Sequence, residues 1–349
     1  MNRHAAVCVV GSLCVLLSCG GADGGRSRQS GAPTAPALFR DSFLLTDSLE
    51  LESTDRSPIV RISGLAIDGA GRIVLADASE RTVRIHAPDG RLLKLIGRSG
   101  DGPGEFREPR FIMALSDNEL AIGEGTGKLH VFRNDSLVRT QQLEGLTFVS
   151  SFTYDPSRKM LVAIQTDAEK SSLNVYDVGG ALRKSIPVVA NKPAPEQPQD
   201  PRWNNVYQAW SATCGDGYVY VATTISDSVW RVALDDGAIT SQSAAYVGYS
   251  APALPDPSEP VDRAKLFGWI KKYDAVQGIL CEQGQVGFTF VRGTRNYGDP
   301  QVFMRLEGDH WQGYSEAPPV IAFRGDTLLA LLNASDKQER FWVGKYVRR

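Results

Sequence analysis

The chain reads as an all-β protein, a six-bladed β-propeller of four-stranded antiparallel blades. Three observations predict it. Short runs of alternating apolar and polar residues, each the length of a half-buried strand, recur in groups of four from residue 38 to residue 349. One of these groups, Gly64 to Pro109, packs its four runs and a glycine-rich linker into fewer than fifty residues. Finally, the last group has only three runs, while a spare strand-like run stands near the start of the chain.

The N-terminus sets the compartment. Met1 to Ser18 has the layout of a secretory signal, with Arg3 as the positive region and Ala5–Leu17 as an apolar run too short to span a bilayer. It ends in Leu16-Leu17-Ser18-Cys19-Gly20, which resembles a bacterial lipobox. The resemblance implies cleavage before Cys19, lipidation of its thiol and, with no Asp after the cysteine, an outer-membrane address in the cell envelope. Residues 19–37 are rich in Gly, Ser, Ala and Pro and bury too little to fold, so a flexible tether is expected there. Residues 1–18, 19–37 and 38–349 are thus signal, tether and propeller.

The first blade carries the clearest pattern. In Gly64–Pro109 the pairs Asp68-Gly69, Ala70-Gly71 and Asp89-Gly90 supply the turns between runs. Gly64, Asp68, Gly71, Ala76 and Asp77, then Gly97, Gly100, Gly102, Gly104, Phe106 and Pro109, resemble an NHL repeat. That pattern implies a propeller blade and local hydrogen bonds at Asp77, and says little about ligand. Later blades keep the four-run rhythm and lose the signature, so the whole chain resembles six-bladed propeller lipoproteins more than a regular NHL array.

The remaining units follow in order. First strands are placed near Gly64, Phe111, Ser151, Ala209, Val276 and Pro319. The sixth unit offers VIAFRG, TLLALL and RFWVGKYV and then ends. Asp41–Leu51 is expected to supply its missing outer strand and to shield the seam between the last blade and the first. Trp230, Trp311 and Trp342 read as packing between blades.

Composition narrows the function. The formal net charge is −2 with no basic stripe, which argues against nucleic acid. Of five cysteines, Cys8 and Cys14 leave with the signal and Cys19 takes the lipid. Cys214 and Cys281 remain at the ends of neighbouring first strands. They are read as two buried free thiols, a disulfide being the alternative, because inner strands of adjacent blades need not approach within ~4.4–6.8 Å.

The functional signal lies in two long connections, 191–208 after blade three and 248–275 after blade four. Both contain several prolines, and the second carries a helix-like stripe after Ser258-Glu259-Pro260. Connections between consecutive blades share one end of a propeller with the Gly97–Pro109 linker, and long structured loops on a rigid scaffold are where binding sits. That end is expected to gather Arg98, Arg107, Arg110, Arg202, Trp203, Asn204, Tyr207, Trp210, Arg292 and Tyr297. Aromatics beside amides and guanidinium groups suit a protein, peptide or glycan partner. The alternative for Trp203 and Trp210 is that they pack the insert onto the ring.

Signals for chemistry are sparse. Gly97–Gly104 lacks the Gly-Lys-Ser/Thr of a phosphate loop. Asp77, Glu124, Asp167, Asp227 and Asp336 form a ring of carboxylates that suits a divalent cation in the central channel, and no cofactor is otherwise expected. His86 and His130 fall on different rungs, and no nucleophile–base pair stands out. Three readings are compatible with the chain: a lipid-tethered, monomeric binding or scaffold propeller, a metal-dependent propeller hydrolase, lactonase or lyase, and a structural member of an envelope assembly that makes its contacts through the blade sides. The inserts favour the first.

Overall fold

Alternation and turn chemistry produce the strands, and the ring arrangement stacks them. The computed structural model describes residues 28–29, 32–54, 57–166, 171–188, 209–224, 226–250, 268, 272–282, 284–292, 301–333 and 340–349. The signal peptide, Cys19, Arg202, Trp203, Asn204, Tyr207, Tyr297, Asp167, Asp336 and the helix expected after Ser258 lie outside the described residues.

The N-terminal segment forms β1 (Arg28–Gln29), β2 (Ala37–Leu38), the single turn α1 (Phe39–Ser42) and β3 (Phe43–Glu50). Blade one is β4 (Ile62–Ile67), β5 (Ile73–Asp77), β6 (Thr82–His86) and β7 (Leu92–Ile96). Blade two is β8 (Pro109–Ser116), β9 (Glu119–Glu124), β10 (Lys128–Arg133) and β11 (Ser136–Gln142). Blade three is β12 (Val149–Asp155), β13 (Met160–Thr166), β14 (Ser171–Asp177) and β15 (Leu182–Val188). Blade four is β16 (Ala209–Ala212), β17 (Tyr218–Thr223), β18 (Ser228–Ala233) and β19 (Ile239–Ser243). Blade five is β20 (Asp274–Glu282), β21 (Gln285–Arg292), β22 (Gln301–Glu307) and β23 (His310–Ala317). Blade six is β24 (Val320–Arg324), β25 (Thr327–Asn333) and β26 (Phe341–Arg348), with β3 as its fourth strand. In that sheet β26 pairs antiparallel with β3, from Trp342 opposite Glu50 to Arg348 opposite Phe43.

The apolar side chains stack blade on blade. One cluster joins Val74, Ile85 and Phe106 of blade one to Leu120 and Ile122 of blade two. Another joins Leu331, Phe341 and Val343 of blade six to Ile62, Ile73 and Leu75 of blade one, with Leu51 and Ile59 between them. Trp311 sits in the aromatic-rich cluster between blades four and five. Each blade therefore needs only its neighbours for a core, which lets one ring exceed the size of an ordinary domain.

Two features depart from the sequence reading. The first is in the stretch expected to be a free tether. Arg28–Gln29 pairs parallel with β19, Ala37–Leu38 pairs parallel with β23, and the Val247 amide donates to the Thr34 carbonyl at 2.9 Å. An outer strand leaves one edge of backbone groups unpaired, and a passing extended segment satisfies some of them. The second concerns the cysteines. Cys214 and Cys281 form a disulfide, with a Cα–Cα distance of 4.9 Å, and are not free thiols. The expectation failed because β16 and β20 both converge on the ring axis, where neighbouring inner strands run closest together.

Candidate functional site

At one end of the ring, each blade's outer strand hands over to the next blade's inner strand. The glycine-rich linker after β7 shows how that end is built. Phe106 is fully buried between blades one and two, and its amide donates to the Arg98 carbonyl at 2.8 Å. Gly97 lets the chain turn over this ring: its φ is +79°, and an added Cβ would sit 2.0 Å from Phe106. Two buried side chains of blade two hold the other side. The Gly104 amide donates to His130 Nδ1 at 3.3 Å, and the Arg107 amide donates to Glu124 Oε2 at 3.3 Å. With Nδ1 accepting, the His130 proton sits on Nε2, which donates to Glu124 Oε1 at 3.1 Å. Burial alone would raise the Glu124 pKa. The hydrogen bond from His130 and the Arg107 and Glu108 amides outweigh that and hold the carboxyl below its ordinary value.

The expected arginines of the linker are present here and already engaged. Arg98 donates to Glu105 at 2.8 Å, and Arg107 pairs with Asp101 in a two-toothed contact. Both remain strongly exposed, so their charges screen each other at the rim. Arg110 begins the inner strand of blade two, half-buried, with its guanidinium 5.6 Å from the Phe111 ring centre. Trp210 begins the inner strand of blade four and packs on the cluster between blades four and five; its Nε1 is buried without a hydrogen-bond partner among the described residues. The backbone of Arg292 ends β21 opposite Asp274, at the same end of the ring. The structure thus places Arg98, Arg107, Arg110, Trp210 and Arg292 at one end, the end from which both inserts depart.

The described carboxylates of the expected ring, Asp77, Glu124 and Asp227, are individually occupied. Asp77 is fully buried and accepts from the amides of Val60, Arg61, Ser79 and Glu80 at 2.7 to 3.2 Å. Asp227 accepts from the Ser243 hydroxyl at 2.5 Å. Among the described residues no three His, Cys, Asp or Glu side chains lie together in a way that could hold a metal ion.

Three residues that the sequence reading missed anchor the start of the second insert. Asp274 accepts from the Tyr246 hydroxyl at 3.0 Å and from the Ser250 amide at 2.6 Å. Tyr249 packs its ring 5.1 Å from that of Phe290, and burial, followed by the Asp227 and Asp274 charges, pushes its hydroxyl pKa up. The local signal was Tyr246-Val247-Gly248-Tyr249 just ahead of the prolines: two aromatics flanking a glycine at φ +96°.

The opposite end of the ring carries a cavity of about 630 Å³. It is bounded by the C-terminal halves of the six inner strands, by the turn residues Asp68, Gly69 and Pro156, and by the Cys214–Cys281 bridge at its edge.

Comparisons with known proteins agree with this architecture. A family model, DUF5128, described as a 6-bladed β-propeller, matches residues 38–174. No curated protein matches the chain in sequence. Among solved structures, a Bacteroides fragilis protein described as exported superposes with a TM-score of 0.64 at 12% identity, over 93% of this chain and all of its own. A DUF4221-family member from Bacteroides vulgatus gives 0.60 at 8% identity, covering 89% of this chain and 99% of its own. Virginiamycin B lyase from Staphylococcus aureus gives 0.51 at 13% identity, covering 87% and 99%. At such identities the likeness is one of fold. The chain is an all-β six-bladed propeller, similar over residues 38–174 to the DUF5128 family and over 93% of its length to a Bacteroides fragilis protein described as exported.

Proposed function

We propose that this protein is a lipid-anchored, monomeric binding propeller of a bacterial envelope, which presents the insert end of its ring to a protein, peptide or glycan. One observation carries the reading: the long connections on both sides of blade four leave from the end that the Phe106 linker, the Glu124–His130 pair and the Asp274–Tyr246 contact hold rigid. A rigid platform beneath long loops lowers the ordering cost of binding. Envelope placement is supported by the Ser18-Cys19 lipobox pattern, the disulfide and the exported neighbour. Tethering is tested by Cys19→Ser, which should move the protein from the membrane to the soluble fraction and remove the lipid mass; a variant still membrane-bound would remove the anchor.

Ligand capture is tested by thermal shift of the mature protein, after chelation, against arrays of glycans and peptides. A ligand at a hundred times its Kd adds about 2.7 kcal/mol to the folded state. The double variant Trp203→Ala, Tyr207→Ala should lose that shift and keep its own melting temperature within about 2 °C, the size of a small surface effect. A large shift on adding Ca²⁺ or another divalent ion alone would replace this reading with the metal-dependent hydrolase or lyase.

A further inference from the structure

The connection from β3 to β4 carries the chain across the seam between blades six and one. Its described residues are held by buried polar side chains of blade one. The Glu52 carbonyl accepts from His86 Nε2 at 3.2 Å, the Pro58 carbonyl accepts from Arg84, and the amides of Val60 and Arg61 donate to Asp77. Leu51 and Ile59, in the same connection, are fully buried in the seam cluster. His86 and Arg84 stand two residues apart on β6, so both lie on one face of the blade, and both are almost wholly buried. Arg84 Nε and Nη1 have no hydrogen-bond partner among the described residues. A carbonyl only accepts, so the His86 proton sits on Nε2 and leaves Nδ1 bare. That nitrogen is buried and also has no partner among the described residues.

We propose that His86 is a pH-sensitive latch on the seam: the neutral imidazole holds the β3–β4 connection against blade one, and a second proton on its ring lets that connection go. A proton arriving at Nδ1 puts a charge into a buried site, with no hydrogen-bond acceptor in place for the new N–H and the Arg84 guanidinium on the same face. The charged groups that face the ring are Arg84 from its own strand and Glu52 from the connection. Glu52 offers little relief, because its carboxylate is exposed to water and already accepts from the Leu92 amide at 2.8 Å. Burial pushes the imidazole pKa below its ordinary 6.5 and the Arg84 charge adds to it; the Glu52 carbonyl and carboxylate and the Ile73 carbonyl do not make up the difference. The unfolded chain therefore takes up the proton first. His86 contributes its full stability above about pH 6.5 and loses it as pH falls below that value. The latch involves neither insert and stands apart from the binding reading above.

Hydrogen exchange of the mature protein at pH 7.5 and pH 5.5, corrected for the intrinsic rate, tests the latch. Amides of residues 51–61 should lose protection about fivefold at the lower pH, the worth of one neutral hydrogen bond, while blades three and four keep theirs. An NMR titration of the His86 imidazole should give a midpoint below 6.5. His86→Gln keeps a side-chain N–H for the Glu52 carbonyl and takes up no proton, so its protection over 51–61 should be equal at both pH values. His86→Phe copies the residue at the matching register position of blade two, Phe132, and lacks the hydrogen bond. It should start with weaker protection that is likewise unchanged by pH, and it decides the matter if the glutamine variant does not fold. Equal protection of the parent at the two pH values, an imidazole midpoint at or above 6.5, or a pH-dependent loss that persists in either folded variant would overturn the latch.

Discussion

Glu124 shows at the scale of one residue how this fold spends its polar groups. Its carboxylate sits with His130 under the linker, takes a backbone amide from that linker, and has its pKa held below the ordinary 4.5. A carboxylate depressed in the folded state contributes stability above its unfolded pKa and loses it as pH falls through the folded value. The linker should therefore loosen below about pH 4.5, while at neutral pH the contribution is complete. Glu124→Gln should lower the melting temperature at pH 7 and flatten its fall between pH 5 and about 3, as followed by circular dichroism. A variant whose acid profile matches the parent would show that the pair is not what holds the linker. Asp77 was readable from the repeat pattern, because two of its partners, the Ser79 and Glu80 amides, are its own turn neighbours. The Glu124–His130 pair was not. Both residues sit in strand runs that read as ordinary alternation, and the Gly104 contact of His130 spans 26 residues.

The six blades were legible as elements, since each observed inner strand starts within two residues of its sequence-based position, from Gly64 against Ile62 to Pro319 against Val320. Alternation and turn residues are local, and local signals survive folding intact. What joins one element to another was less visible. The disulfide links positions 67 residues apart, and only ring curvature brings them together. Closing a loop of that length restricts the unfolded chain by roughly 4 kcal/mol on the chain-entropy account. Reduction, or Cys214→Ser with Cys281→Ser, should lower stability by about that much in denaturant titration, with blades four and five losing amide protection first. An unchanged midpoint would mean the bridge is dispensable. The strap strands β1 and β2 on β19 and β23 were hidden for a related reason, because two-residue parallel pairings leave no periodicity to read.

The same limit applies to function at the scale of the molecule. The inserts announced an end of the ring because extra length shows in spacing. The cavity at the other end did not, since its walls come from one short stretch of each blade and read as ordinary core strands until the ring closes. The N-terminal segment supplies the fourth strand of the last blade. β3 runs the full length of β26, the Leu51 amide donates to the Phe341 carbonyl at 2.8 Å, and the Glu52 amide donates to the Gly90 carbonyl at 2.9 Å. Phe39, Phe43 and Leu51 are each almost wholly buried against blades five, six and one. Losing large buried side chains costs about 2–5 kcal/mol apiece, against a total stability of about 5–15 kcal/mol for a typical protein. Deleting residues 38–52 should accordingly abolish the cooperative thermal transition and leave the edge of β26 open to self-association. Leu51→Ala gives a graded version: it should keep the fold and lower stability by about 2–5 kcal/mol. If the deleted protein instead melts cooperatively at the parent temperature, the ring closes without its N-terminal strand. The seam between blades six and one would then rest on the apolar contacts of Ile62, Ile73 and Leu331 alone.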